Sequence, residues 1–77
     1  MNRLSDLKEG EKGRVISLKN GMEIKRRLQD IGLVRGTVVK CVLKSPLGDP
    51  VAYLIKGALI AIRNEDSDKI TVEECLD

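Results

Sequence analysis

The sequence predicts a small, mainly β barrel of about five strands, with one α-helix inserted after the first strand. Three observations carry this expectation. Aliphatic residues alternate with polar ones along several short runs, the period of a half-buried strand. Glycine or proline punctuates those runs. The segment 20–32 sustains the apolar spacing of a helix over more than two turns. The chain has 77 residues, which is room for one domain, 1–77. At that size a chain buries only about 60% of the surface its unfolded form exposes, so the core must be compact. With one Tyr and no Phe or Trp, that core is built from Leu, Ile and Val.

Leu4, Leu7 and Gly10 open the chain as Leu-x-x-Leu-x-x-Gly, a spacing that fits one helical face or one turn. A charged corner, Glu11-Lys12-Gly13, follows. Arg14 to Leu18 then alternates, with Ile16 and Leu18 on one side and Val15 on the other. Asn20 is placed to cap a helix, with Glu23 three residues on as the capping-box carboxylate. Ile24, Leu28 and Ile31 share one helical face. Glu23 and Arg27 are spaced to pair across a turn for about 0.3 kcal/mol. Gly32 supplies the left-handed residue that ends the helix, and Leu33 folds back on the last turn.

From Thr37 to Lys44 the lysines mark the solvent side, so Val39, Cys41 and Leu43 are expected to point inward. Ser45-Pro46-Leu47-Gly48 suits a turn with Pro at its second position, and Asp49-Pro50 prolongs it. Val51, Tyr53 and Ile55 form the next inward set. Gly57 marks a tight reversal, after which Ile60 and Ile62 point inward. Asn64 to Lys69 is polar and reads as a helical turn or loop. Ile70-Thr71-Val72 is a last short strand, and Glu73 to Asp77 is expected to be a tail.

Charge narrows the function. Fourteen basic residues against twelve acidic leave a formal charge of +2, weak support for a nucleic-acid surface, where basic residues dominate. No signal peptide is expected, because residues 1–6 run straight into folded-looking sequence. That implies a soluble, cytoplasmic protein whose Cys41 and Cys75 stay reduced. The longest apolar run, Ala58 to Ile62, is far too short to cross a bilayer.

The order and spacing of these features resemble the FeoA family, the small accessory proteins of bacterial ferrous-iron transport. The resemblance runs along nearly the whole chain. It rests on Leu4-x-x-Leu7-x-x-Gly10, on Arg27-Leu28-Gln29-Asp30-Ile31-Gly32-Leu33-Val34-Arg35-Gly36, on Pro46-Leu47-Gly48-Asp49-Pro50, and on Gly57 through Ala61-Ile62-Arg63 to Ile70-Thr71-Val72. It implies an SH3-like barrel with an inserted helix, and it brings the family's label of transition metal ion binding. It also implies a role with FeoB, the membrane transporter whose cytoplasmic G-domain is tied to iron(II) uptake, through direct protein–protein contact. Arg35 stands where the family often has Pro before the glycine, which bears on the corner from Gly32 to Gly36. The same barrel ends some metal-dependent repressors, after a DNA-binding domain that is not expected here.

No catalytic residue is expected, and the chain does not read as an enzyme. A nucleophile needs an activating base within hydrogen-bond reach. The sequence has no His, and neither cysteine sits in a nucleophile motif. Cys41 is in phase with the core, and Cys75 reads as an exposed thiol. Gly10-Glu11-Lys12-Gly13 lacks the Gly-Lys-Ser/Thr of a phosphate loop, so any GTP chemistry belongs to the partner. Glu73, Glu74, Cys75 and Asp77 are the nearest iron(II) candidates, but consecutive tail residues do not converge without a scaffold. No metal site and no cofactor are expected. A proline-rich ligand is disfavoured because Tyr53, the one aromatic, points inward.

The expected partner-binding residues lie outside the core. Val38, Val42, Ala52, Leu54 and Leu59 have outward phase, and Leu54 and Leu59 flank the reversal at Gly57. Clustered, they would form an apolar patch that meets the FeoB-like transporter or a second copy of the chain. Lys25, Arg26 and Gln29 on the helix, with Arg35 beyond it, offer a basic edge for an acidic partner. Pro46, Asp49 and Pro50 are read as turn formers. The competing reading is an RNA- or ribosome-binding barrel, since Gly10 to Ile16 loosely resembles the strand starts of ribosome-associated modules. Against it stand the near-neutral charge and the lack of exposed aromatics for base stacking.

Overall fold

The computed structural model describes residues 2–19 and 25–75. Six strands are described: β1 (Asn2–Arg3), β2 (Lys12–Leu18), β3 (Val38–Lys44), β4 (Val51–Ile55), β5 (Ala58–Ile62) and β6 (Ile70–Cys75). A 3-10 turn (Leu4–Asp6) follows β1, helix α1 (Lys25–Asp30) lies between β2 and β3, and helix α2 (Asn64–Ser67) precedes β6. All pairings are antiparallel, in one sheet ordered β1-β6-β2-β3-β4-β5. The mainly β architecture with a helix after the first long strand is the expected one. No helix among the described residues is long and apolar enough to cross a membrane.

One core fills the inside of this curled sheet. Leu4, Leu7, Val15, Leu28, Leu33, Val39, Cys41, Val51, Tyr53, Ile55, Ile62, Ile70 and Val72 are buried together, with Leu18 and Ile60 packed at its margin. Tyr53 is its largest member and is fully buried. Its hydroxyl donates to the Leu4 carbonyl at 3.4 Å, so the largest core side chain also ties β4 to the opening turn. Burial pushes the Tyr53 pKa up to about 12, and a hydrogen bond with Ser67 opposes that shift in part. Gly13 shows how tight the wall is. A Cβ there would stand 3.0 Å from a methyl of Val72 and 3.4 Å from Leu7.

Several expectations need correction. The described residues form six strands where about five were expected, the addition being Asn2–Arg3 paired with Thr71 and Val72. Glu73, Glu74 and Cys75 are not a tail: they continue β6 against Lys12, Gly13 and Arg14 of β2. Cys75 is half-buried there rather than bare. Leu43 was expected inward and is 61% exposed. The cause is a bulge: Cys41 pairs with Tyr53 and Leu43 with Ala52, leaving Val42 as the extra residue that reverses the phase. A second bulge between Val15 and Ser17 does the same in β2. It lets Val15 and Leu18, which differ in parity, both reach the core.

The helix ends as its sequence predicts. The Leu33 amide donates to the Leu28 carbonyl at 2.8 Å and the Gly32 amide to that of Gln29 at 3.1 Å. With Gly32 at φ +104° and both Leu28 and Leu33 buried, this is the paired C-terminal cap with its hydrophobic contact. Ile31 departs from the expected face and is 41% exposed. The proposed capping box of Asn20 and Glu23, the Glu23–Arg27 pair and the Ile24 face position lie outside the described residues, as does Asp77.

Candidate functional site

The site is the outer surface of β3, β4 and β5. Strand pairing sets it. Lys56 and Gly57 both have positive φ, 48° and 83°, which is the two-residue hairpin turn whose twist suits flanking strands. That turn pairs Ile55 with Ala58 and hence Leu54 with Leu59, Tyr53 with Ile60 and Ala52 with Ala61. Tyr53 and Ile55 are buried on one face, so Leu54 and Leu59 stand directly opposite one another on the other. Leu54 is 39% exposed and Leu59 63%.

Register extends this face across the sheet. Lys40 of β3 lies opposite Leu54, and Lys12 of β2 lies opposite Lys40. The row Lys12, Lys40, Leu54, Leu59 therefore crosses four strands, basic at one end and apolar at the other. Beside it, Leu43, Ala52 and Ala61 form a second row. The bulged Val42 is exposed next to Leu43. Sequence reading named Val42, Ala52, Leu54 and Leu59 and missed Leu43. Its signal was hidden because Lys40 and Lys44 share a parity, so nothing in the alternation betrays a phase change between them.

The other expected contact residues fall elsewhere. Val38 faces the same side of β3 but pairs with Arg14. It lines a shallow depression of about 410 Å³ with Val34, Arg35, Gly36, Thr37 and Lys56. The structure thus brings Arg35 and Val38 together. Thr37 shapes this corner: its hydroxyl donates to the Gly32 carbonyl at 2.8 Å and accepts the Val34 amide at 3.2 Å. Lys25, Arg26 and Gln29 sit on α1, where Arg26 and Gln29 are exposed and Lys25 is half-buried. The loop 45–50 has the expected turn, with the Gly48 amide on the Ser45 carbonyl at 2.7 Å. Asp49 does more than turn the chain: its carboxylate accepts the Asn64 amide at 2.9 Å and so caps α2. Leu47, 94% exposed at the tip of that loop, is an apolar contact candidate that sequence reading passed over.

Chemistry is poorly served by this geometry. Cys41 is fully buried, and that burial raises its thiol pKa, with Lys44 opposing. A protonated buried thiol is a poor nucleophile. Among the described residues, no group of three or more His, Cys, Asp or Glu is arranged to hold a metal ion. The one aromatic side chain is buried, so no aromatic-lined groove exists for a proline helix.

The FeoA domain family model matches residues 2–74. Among curated proteins, the chain is 34% identical over 71 residues to a Fe(2+) transport protein A/Fe(2+) transporter FeoB fusion protein of Porphyromonas gingivalis. That match takes in 92% of this chain but only 8% of the fusion protein's length. Among solved structures, FeoA protein from Chlorobium tepidum superposes with a TM-score of 0.90 at 38% identity, over 96% of this chain and 70% of that one. Stenotrophomonas maltophilia FeoA, solved with zinc and described as an SH3 domain protein, gives a TM-score of 0.81 at 27% identity, over 95% of this chain and 91% of that one. The fold is therefore SH3-like, as the resemblance implied.

Proposed function

The chain belongs to the FeoA family, and we propose that it acts in the cytoplasm as an accessory protein of ferrous iron uptake, by binding a FeoB transporter directly. The observation that carries this reading is the Porphyromonas gingivalis relative, in which a homologous stretch and a FeoB transporter share one polypeptide. Covalent linkage holds two modules at a high effective concentration, a benefit only where they work side by side.

The contact surface in this reading is the outer face of β3–β5. Apolar side chains packed next to one another on a surface lose water when a partner covers them. Leu54 and Leu59 form the centre, with Val42 and Leu43 beside them. Lys12 and Lys40 face each other across two strands, a like-charge pair that is unfavourable in isolation. An acidic patch on the transporter's cytoplasmic side would relieve it. Val38 and Arg35, with Lys25 and Arg26 on α1, give the rim. The chain itself supplies no catalysis and leaves nucleotide turnover to the transporter.

The test is a calorimetric titration of the transporter's cytoplasmic G-domain region with the wild-type chain and with a Leu54→Ser/Leu59→Ser variant, with and without nucleotide. Wild type should bind, and the variant should lose at least about tenfold in affinity (about 1.4 kcal/mol). Its melting temperature should stay near that of wild type. Equal binding by both proteins removes this face from the reading. No binding by wild type under any nucleotide condition removes the direct contact.

A further inference from the structure

The two edges of the sheet are finished differently. β1 is only two residues long and carries Arg3, the short charged edge that discourages strand addition. β5 terminates the other side and is built from Ala58, Leu59, Ile60, Ala61 and Ile62. It has no charge, no proline and no bulge against β4. In a hairpin closed by a two-residue turn, the pairs flanking the turn exchange hydrogen bonds and alternate pairs do not. Ile55–Ala58, Tyr53–Ile60 and Val51–Ile62 are the bonded pairs, so the main-chain groups of Leu59 and Ala61 point away from β4.

Beyond that edge lies a groove of about 450 Å³ lined by Arg27 and Leu28 of α1, Ile31 just after it, residues 60–62 of β5, and Arg63 and Asp66. Its lining combines the aliphatic Leu28, Ile31, Ile60 and Ile62 with two arginines and one carboxylate. Neither guanidinium makes an ion pair with a described residue, although Asp66 lines the same groove. Arginines beside apolar side chains accept carboxylates well, because the planar fork matches a carboxylate in two hydrogen bonds.

We propose that β5 receives an extended acidic segment of another protein as an added antiparallel strand, with its apolar residues on Ile31 and Ile60 and its carboxylates on Arg27 and Arg63. This site adjoins the outer face assigned above, since it uses the main chain of Leu59 and Ala61 where that face uses the side chains, and it does not depend on the identity of the transporter. Charge selects the occupant. Pairing β5 with a second copy of itself about Ile60 would set Arg63 of one copy against the Lys56–Gly57 turn of the other, cation to cation. An acidic segment meets the opposite sign at both arginines. Main-chain bonds to Leu59 and Ala61 would supply register, and alternate side chains would supply specificity.

The probe is a short acetylated peptide alternating valine with glutamate, titrated into the full chain while amide resonances are followed. Binding should shift the Leu59 and Ala61 amides first. Replacing glutamate by lysine in the peptide, or Arg27→Gln together with Arg63→Gln in the protein, should weaken binding by about tenfold or more. N-methylation of the peptide along its pairing edge should abolish binding, a readout that needs no protein variant and so no assumption about folding. Three results would overturn the proposal: full affinity in the methylated peptide, equal affinity for the lysine peptide, or no shift at Leu59 and Ala61 at millimolar peptide. Sedimentation showing self-association that Ala61→Pro, which removes an outward main-chain donor, abolishes and Leu54→Ser leaves intact would assign this edge to a second copy and overturn it too.

Discussion

The inner and outer faces of β3–β5 are made of nearly the same residues and do opposite work. Inside stand Val39, Cys41, Val51, Tyr53, Ile55 and Ile62, all but sealed from water; outside stand Val42, Leu43, Leu54 and Leu59, each more than a third exposed. Hydrophobicity does not separate them. Phase along the strand does, and the bulge at Val42 decides where the phase of β3 turns over. The lesson is that an aliphatic residue here is structural or available according to one backbone irregularity, and the contrast can be broken from either side.

The largest effect is expected at the centre of the inner face. Tyr53→Ala should cost about 3–5 kcal/mol, the usual range for deleting a buried aromatic. That is enough to unfold much of so small a domain, and urea denaturation read by circular dichroism would show it. The comparison fails if Tyr53→Ala is no worse than Leu59→Ala.

Alkaline pH attacks the same residue without mutation. An unfolded Tyr titrates near pH 10, whereas folded Tyr53 is held neutral to about pH 12. The unfolded state therefore releases its proton first, and stability, whole below pH 10, falls by about 1.4 kcal/mol per unit until pH 12. Cys41, also raised by burial, adds a loss of the same sign, so denaturation midpoints should fall across that range and Tyr53→Phe should remove the tyrosine's share of the slope.

Gly13→Ala probes the tightest contact of the inner face. The added methyl meets Val72 at 3.0 Å, so overpacking by about 1–3 kcal/mol is expected. A Gly13→Ala/Val72→Ala double variant should recover part of that loss. The smallest effect should come from Leu43→Lys, within about 0.5 kcal/mol of wild type. Two positions earlier, Cys41→Lys should fail to fold. If Leu43→Lys also unfolds the protein, the bulge at Val42 does not exist in solution.

Much of this was legible in the residues. Val51, Tyr53 and Ile55 announced their burial by strict alternation, and Gly32-Leu33 announced a helix end whose hydrogen bonds are those its spacing requires. What alternation cannot express is a change of phase. Leu43 was misread because Lys40 and Lys44 agree in parity on either side of the bulge. Glu73 to Cys75 looked like a tail because they are polar. Their strand character comes from a distant partner: Arg14 pairs with Glu73 in register and through an ion pair at 3.7 Å. The outer row could be guessed from Leu54 and Leu59, which flank one turn. Its basic end could not, because Lys12 joins it only through pairing with β3.

The sheet order places β6 between β1 and β2. As the chain emerges from the ribosome, β1 has no partner strand and β2 has only β3 until Ile70 to Cys75 is made. The N-terminal segments therefore complete their pairing last, and a nascent chain stopped short of residue 70 would hold one orphaned strand, one half-paired strand and an open core. Assembly of this domain is completed at its far end, so any protein that carries it can use it only after that last stretch has been synthesised.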